Sequence, residues 1–204
     1  MDPVLAFRGF ILGFTIAAAV GPISLLVMRR TLAEGRIVGL ASGLGVATAD
    51  GIYGAIAAFG LGAITQLLVD ARPILGLAGG LFLLWLAWTT ARAEPHDPAT
   101  APSRRGGLAG AYLSILGLTL TNPMTILSFG ALFAGLGVTG GDTTGAALIT
   151  IGVLLGSTAW WVVLTSVVSI VRTRVTTAWI RRINVASGVL IGAFAVISIA
   201  SVVL

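Results

Sequence analysis

The chain of 204 residues has no cysteine, no lysine and only one histidine, and charged residues make up just 9% of it. Without cysteine, disulfide bridges, thiol relays and thiolate-bound metals are excluded. By contrast, 57% of the residues are hydrophobic and the mean hydropathy is +1.05. A soluble domain would confine its apolar residues to one stripe per helix or one face per strand, whereas long segments of this chain are apolar all round. The composition therefore indicates an integral membrane protein.

Apolar segments long enough to cross a bilayer fill most of the chain. Each spanning helix needs about 20 apolar residues. Six such segments are present, at residues 9–28, 37–65, 72–91, 108–136, 145–171 and 184–204. Because they leave no room for a soluble domain, the sequence predicts one membrane domain over residues 1–204. The predicted fold class is an all-α polytopic membrane protein with six transmembrane helices.

The basic residues predict the orientation. All twelve are arginines, and ten of them lie in the loops after the first, third and fifth segments, with only Arg8 and Arg72 on the opposite side. Since cytoplasmic loops carry an excess of positive charge, both termini are predicted to lie outside. If the first segment is a re-entrant hairpin, the N-terminus lies inside instead. The arginines sit at helix ends and form no contiguous basic face, which argues against a nucleic-acid partner.

The chain divides into two similar halves. Residues 92–107, rich in proline and charge, separate residues 1–91 from residues 108–204. Each half has three predicted spans, with a proline step in the first span and a small or polar residue in the middle of the second. Because three is an odd number, the halves must insert in opposite orientations, as do the inverted repeats of many secondary transporters. The sequence therefore predicts two inverted three-helix repeats joined by a cytoplasmic linker.

The two proline steps are candidate substrate-binding elements. Proline inside a helix frees carbonyls that protein, water or a ligand must satisfy. Interruptions at corresponding positions of two repeats point to a binding site near the bilayer midplane. Kinks and small residues also serve helix packing alone, and that alternative stays open. The residues predicted to bind substrate at these steps are Gly21, Pro22 and Ser24 in the first half and Asn122, Pro123 and Thr125 in the second.

Asp50 is the only carboxylate in the apolar stretch from Ile37 to Ile64, which contains no cation. A charge at bilayer depth costs about 2.5–3.5 kcal/mol on insertion scales, so by default it marks a substrate or proton pathway. The hypothesis is that Asp50 takes up a proton on one side of the membrane and releases it on the other. The alternative is a structural carboxylate that bonds to Tyr53 or to a neighbouring hydroxyl.

Ser157 and Trp160 complete the predicted substrate-binding set. Ser157 lies in the second half at about the place that Asp50 occupies in the first. Trp160 and Trp161 lie in the middle of the fifth span, where an indole N–H group needs a partner. One of these two side chains could close a substrate pocket, and plain packing is the alternative for either.

Together these residues resemble the LysE family of amino-acid exporters, in its RhtB-like branch. The resemblance covers nearly all of the chain. It implies a small exporter of amino acids or related metabolites in the bacterial inner membrane, driven by the proton gradient. Its partners would be the small-molecule substrate, protons and membrane lipid, and glycine-rich faces would allow a homodimer. The resemblance rests on Gly21-Pro22, the Arg-Thr-Leu-Ala-Glu-Gly-Arg stretch at residues 30–36, Asp50, Asn122-Pro123, and Ser157 with Trp160.

Two departures from the family pattern bear on the substrate. Lysine and arginine exporters that resemble this family carry Gln-Asn after the first Gly-Pro, where this chain has Ile23-Ser24. They also carry an acid six residues after the asparagine of the second motif, where this chain has Ser128. Because that acid would pair with a cationic side chain, its absence favours a neutral amino acid.

Other function classes stay open at this stage. The first is a cation or metal-ion efflux protein of related architecture, although a transition metal would need several carboxylates, histidines or thiolates. An intramembrane enzyme acting on lipid would need a nucleophile with a base or a metal, and no histidine or second acid lies in any predicted span. The protein is therefore predicted not to be an enzyme, and to hold no cofactor or metal. In a structural subunit, Asp50 would pair with an arginine of a partner protein.

Overall fold

The computed structural model describes residues 3–19, 21–60, 67, 70–92, 107–122, 125, 126, 128, 129, 143–172 and 176–203. All regular secondary structure in these ranges is helical, as the sequence predicts. The helices are α1 Pro3–Ala18, α2 Pro22–Glu34, α3 Arg36–Ala58, α4 Arg72–Ala91, α5 Gly107–Leu120, α6 Thr143–Arg172 and α7 Thr177–Val203. The predicted linker lies outside the described residues apart from its two end residues, Arg92 and Gly107.

Several of these helices have the length and hydropathy of membrane spans. In the described part of the chain, α3, most of α4 (Pro73–Ala91) and most of α6 (Thr143–Val171) each meet both criteria. Helices α1 and α2 meet them as a pair that is bent by 78° at a short break. Helix α5 is a shorter apolar helix. The chain is therefore a polytopic, all-helical membrane protein.

Helix ends agree with the predicted spans at α4 and differ from them at α3 and α7. Helix α4 occupies the predicted span 72–91. Helix α3 stops at Ala58 instead of continuing to residue 65, because Gly60 adopts a positive φ of 64° and ends the helix. Helix α7 begins at Thr177, ahead of the predicted start of the last span.

The first predicted span consists of two helices separated by a break, rather than one kinked helix. Gly21 is extended, with φ −143° and ψ −174°, so the helix cannot run through it. Pro22 has no N–H group to satisfy and takes the first position of α2. The first turn of α2 closes with a 3.0 Å bond from the Leu25 N–H to the Gly21 carbonyl. The Ser24 hydroxyl donates to the Ala19 carbonyl at 3.2 Å, which satisfies an acceptor freed at the break.

Glycines bring α1 and α6 into close contact. A Cβ atom at Gly9 would overlap the backbone of Ile149, and one at Gly13 would overlap the backbone of Val153. Small residues of this kind allow two membrane helices to approach backbone to backbone. Since the residue numbers rise together along the contact, α1 runs parallel to α6.

Helix α3 lies between α5 and α6. Gly43 packs against the Trp161 side chain and Gly54 against Val153, so α3 and α6 are antiparallel. On its other side, Gly45 contacts the Tyr112 backbone, and further along the Tyr53 hydroxyl donates to the Leu120 carbonyl at 2.6 Å. Because these residue numbers rise together, α3 and α5 are parallel.

Helices α4 and α7 form the remaining close pair. Gly80 packs against Ile199, and Gly188 packs against Ala87 and Ala91, so α4 and α7 are antiparallel. With α3 between α5 and α6, this arrangement encloses α2 against α3, α6 and α7. The break between α1 and α2 is thereby held inside the bundle.

Candidate functional site

A cavity of about 230 Å³ lies where the break between α1 and α2 meets the other helices. Its walls come from both halves of the chain, because α3 contributes one side while the end of α5, α6 and α7 contribute the others. This volume corresponds to several water molecules, at about 30 Å³ for each in the liquid. The polar side chains in the wall are Ser24, Asp50, Thr119, Asn122, Thr125 and Ser128.

Asp50 lies at the crossing of α3 and α6 and is 2% exposed. Its Oδ2 atom accepts a 2.7 Å hydrogen bond from the hydroxyl of Ser157, which is fully buried. Within the described residues, no arginine forms an ion pair with this carboxylate. Of the two partners that the sequence left open, the structure places a neighbouring hydroxyl on Asp50, because Tyr53 donates to a backbone carbonyl instead.

The first proline step forms one wall of the cavity. Gly21, Pro22 and Ser24 all line it, and the latter two are buried. A Cβ atom at Gly21 would have no neighbour within 4 Å, so the backbone of the break faces open space. Since α2 begins at Pro22, its amino end and the positive end of its dipole lie at the cavity.

The described residues of the second proline step line the same cavity. Helix α5 ends at Leu120, and the Asn122 carbonyl accepts bonds from the N–H groups of Thr125 at 3.1 Å and Ile126 at 3.2 Å. The bond to Ile126 corresponds to that between Leu25 and Gly21, because each joins the residue before a proline to the fourth residue after itself. Asn122 and Thr125 line the cavity, whereas Pro123 lies outside the described residues.

The two adjacent tryptophans take different roles. Trp160 packs edge-on against Phe14, with ring centroids 5.4 Å apart, and does not line the cavity. Trp161 lines the cavity and is 1% exposed, and its indole nitrogen has no hydrogen-bond partner in the described part of the chain. The structure therefore brings Trp161, rather than Trp160, to the group of predicted residues.

Sequence reasoning missed several further residues of the wall, among them Thr119 and Phe194. Thr119 lies one turn before Asn122 on the same face, so helical spacing from the predicted asparagine could have found it. Phe194 in α7 carried no signal, since it is one apolar residue among many. The described residues contain no group of three or more His, Asp or Glu side chains that could hold a metal ion.

Comparison with known proteins assigns the chain to a family. The model of the LysE type translocator family matches residues 14–201. The uncharacterized membrane protein YahN of Escherichia coli is 31% identical over 184 residues, which cover 83% of this chain and 78% of that protein. Threonine efflux proteins of Salmonella typhi and Salmonella typhimurium are each 29% identical over 161 residues, covering 76% of this chain and 77% of theirs. No solved structure gives a significant match.

The family match covers every residue that lines the cavity. The match extends from α1 to the end of α7, so it includes both proline steps and Asp50. Because the family consists of translocators, the chain is a transporter. The chain belongs to the LysE type translocator family and is a multi-pass membrane transporter, not an enzyme.

Proposed function

We propose that this protein exports a neutral amino acid or a related metabolite across the bacterial inner membrane by proton antiport. The observation that carries the proposal is Asp50. It is a buried carboxylate whose only hydrogen-bond partner in the described residues is the Ser157 hydroxyl, beside a partly polar cavity at the break between α1 and α2. A carboxylate buried in a membrane domain without a cation is costly, and such residues mark substrate or proton pathways.

The cavity suits the two charges of an amino acid. The amino end of α2 supplies N–H groups and a positive dipole for the substrate carboxylate. Asp50 supplies a negative charge for the substrate ammonium group. Asn122 and Thr125 offer hydrogen bonds to a polar substrate side chain. Ser128 occupies the position at which exporters of cationic amino acids carry an acid, so the cavity has no second carboxylate there for a cationic side chain. Since two relatives are named threonine efflux proteins, threonine is the first substrate to test.

Competition at Asp50 accounts for the exchange of substrate and proton. The carboxylate can hold a proton or pair with an ammonium group, but not both. When the cavity faces the cytoplasm, substrate replaces the proton. When it faces the outside, a proton replaces the substrate. Both steps follow if the two halves of the chain rock around a fixed site, as in transporters with inverted repeats.

The helix packing supports two inverted three-helix repeats, residues 1–91 and 108–204. Exchanging the halves turns the parallel pair α1–α6 into the parallel pair α5–α3. It leaves the antiparallel pairs α3–α6 and α4–α7 unchanged. The matching hydrogen bonds at Gly21 and Asn122 obey the same exchange. A pseudo-two-fold axis in the membrane plane would relate the halves in this way.

The directions of the helices support an orientation with both termini outside. Arg30 in α2 bonds to Ser42 near the start of α3 and to the Ala111 carbonyl near the start of α5. Arg29 bonds to Asn184 near the start of α7 at 2.9 Å. The arginine-rich ends of the helices therefore lie at one end of the bundle, which the positive-inside rule assigns to the cytoplasm.

The test is efflux from proteoliposomes loaded with a panel of labelled amino acids, with and without a proton gradient directed into the vesicles. We expect the gradient to accelerate efflux of neutral amino acids by the wild type. The Asp50→Asn variant should lose this acceleration, because an amide does not exchange protons. Asp70→Asn, at an exposed position before α4, is the matched control and should behave as the wild type.

Two results would count against the proposal. Efflux that the gradient still accelerates in Asp50→Asn would remove the proton-carrying role of this residue. A folded wild type that moves no amino acid under any condition would contradict amino-acid export itself, and would return weight to cation or metal-ion efflux.

A further inference from the structure

A second and larger cavity, of about 460 Å³, lies between α4 and α5. We refer to it as the inner cleft. Phe82, Trp85 and Thr89 of α4 form one side, and Ser114 of α5 forms part of the other. Its floor is the last turns of α2, with Arg30 and Glu34.

The inner cleft lies toward the arginine-rich end of the bundle. Helices α4 and α5 approach each other at Gly79 and Thr121, where a Cβ atom on the glycine would lie 3.0 Å from the Thr121 carbonyl. At the opposite end of α5, Cβ atoms at Gly107 and Gly110 would have no neighbour within 4 Å. The residues that line the cleft, Phe82 to Thr89 on α4 and Gly107 to Ser114 on α5, lie at the end of these helices assigned above to the cytoplasm.

A thin apolar layer separates the inner cleft from the central cavity. On α2, Arg30 lines the cleft, Val27 is fully buried one turn away, and Ser24 lines the central cavity after one more turn. On α5, Ser114 lines the cleft and Leu118 is buried one turn later. Asn122, just beyond the end of the helix, lines the central cavity.

Leu118 is 3% exposed and belongs with Val27 to one continuous apolar cluster. Movement of a substrate from the inner cleft to the central cavity would have to displace this layer.

The polar groups of the inner cleft carry charges of both signs close together. Arg30 is held in place by 2.9 Å bonds to Ser42, to the Ala111 carbonyl and to Ser114. Glu34 lies four residues later on the same face of α2, at a spacing that puts the two side chains about 5–6 Å apart at their Cβ atoms. This pairing complements a molecule with a carboxylate and an ammonium group on neighbouring atoms.

We propose that the inner cleft is a second substrate site, at which a zwitterionic amino acid binds from the cytoplasm before it reaches the central cavity. The substrate carboxylate lies toward Arg30 and the ammonium group toward Glu34. The alternative occupant is a lipid acyl chain, which offers no polar group to either side chain. The inference rests on the proposed export of amino acids and adds where the substrate first binds.

The absence of cysteine from the chain allows a direct test. Gly110→Cys places a single thiol in the inner cleft, where a side chain has open space. In inverted membrane vesicles, whose cytoplasmic face is outward, we expect a charged, impermeant methanethiosulfonate reagent to modify it. Threonine, or whichever neutral amino acid the wild type exports, should slow the modification about tenfold at ten times its dissociation constant, as mass action requires.

Gly117→Cys is the matched control. Gly117 also has open space around it, but it lies two turns along α5 and outside the lining of the cleft. We expect no modification there and no effect of threonine. The double variant Gly21→Trp, Gly110→Cys fills the central cavity while it leaves the cleft open, and threonine should still protect the thiol.

Analogues that lack one charge identify the chemistry of the site. N-acetylthreonine keeps only the carboxylate and threonine amide only the ammonium group, so each should protect much less than threonine. Equal protection by either analogue would overturn the pairing with Arg30 and Glu34.

The remaining outcomes separate this inference from the proposed function. If the wild type exports an amino acid but that amino acid does not protect Gly110→Cys, the second site is wrong and export stands. Protection that disappears in the double variant would assign the effect to the central cavity. A thiol that reacts only after detergent extraction would show that lipid fills the cleft. A wild type without export of any amino acid contradicts the proposed function, and the inference with it.

Discussion

At the scale of single residues, the hydrogen bond between Ser157 and Asp50 is what keeps a carboxylate tolerable at this depth. Both side chains of this 2.7 Å bond are buried, and the bond joins the two halves of the chain. A hydrogen bond to a charged group contributes about 1.5–3 kcal/mol. Ser157 therefore acts on transport through Asp50, as a positioning residue.

Ser157→Ala tests this role. Without the hydroxyl, the charged form of Asp50 loses its one donor in the described residues, so we expect export driven by the proton gradient to fall by about tenfold or more, in line with the energy of a charged hydrogen bond. Ser157→Thr keeps a hydroxyl and should retain most of the export. Thr158→Ala is the control, because the Thr158 hydroxyl bonds only within its own helix, to the Leu154 carbonyl. Proteoliposome efflux at several pH values measures all three variants, and a Ser157→Ala protein with the pH profile of the wild type would contradict the role.

At the scale of helices, glycine sets the distance between α1 and α6, and with it the position of the break. A Cβ atom at Gly13 would overlap the backbone of Val153 rather than the end of a flexible side chain. Relief of that overlap requires one helix to move, and overpacking of this kind costs about 1–3 kcal/mol.

We therefore expect Gly13→Ala to lower the melting temperature in detergent, and to weaken export because the wall of the central cavity moves with α1. Gly117→Ala is the matched control, since a Cβ atom there meets nothing within 4 Å. Thermal unfolding followed by loss of monodisperse protein checks both variants. Equal melting temperatures for Gly13→Ala and the wild type would show that the contact between α1 and α6 is looser than the structure has it.

The helix scale also shows how far the sequence could predict this protein. Length and hydropathy were enough to predict a membrane protein and to predict both ends of α4. The proline step at Gly21-Pro22 predicted an interruption, but not a bend of 78°, because the bend depends on where α6 and α7 leave room for α2. Trp160 and Trp161 are neighbours about 100° apart around α6, and only the register of α6 against α3 decides which of them reaches the cavity. The inner cleft had no signal in the sequence, since its lining comes from three helices that are far apart along the chain.

At the scale of the whole molecule, the path of the α1–α2 pair decides where the N-terminus lies. Gly9 of α1 lies beside Ile149, near the start of α6, whereas Arg29 of α2 bonds to Asn184, near the start of α7. Helix α6 is long enough to cross the bilayer between those two points. These contacts lie toward opposite ends of the bundle, so we expect the pair to be a broken span rather than a re-entrant hairpin.

This geometry predicts the accessibility of two single cysteines in the cysteine-free chain. Val4→Cys in α1 and Ile37→Cys in α3 replace side chains that are 51% and 71% exposed. An impermeant maleimide should label Val4→Cys in right-side-out membrane vesicles and Ile37→Cys in inverted ones. Labelling of both only in inverted vesicles would place the N-terminus in the cytoplasm, make α1 and α2 a re-entrant hairpin, and remove the symmetry that relates the two proline steps. With labelling from opposite sides, the two steps face each other across the central cavity from oppositely inserted halves, which is the arrangement that alternating exposure of Asp50 needs.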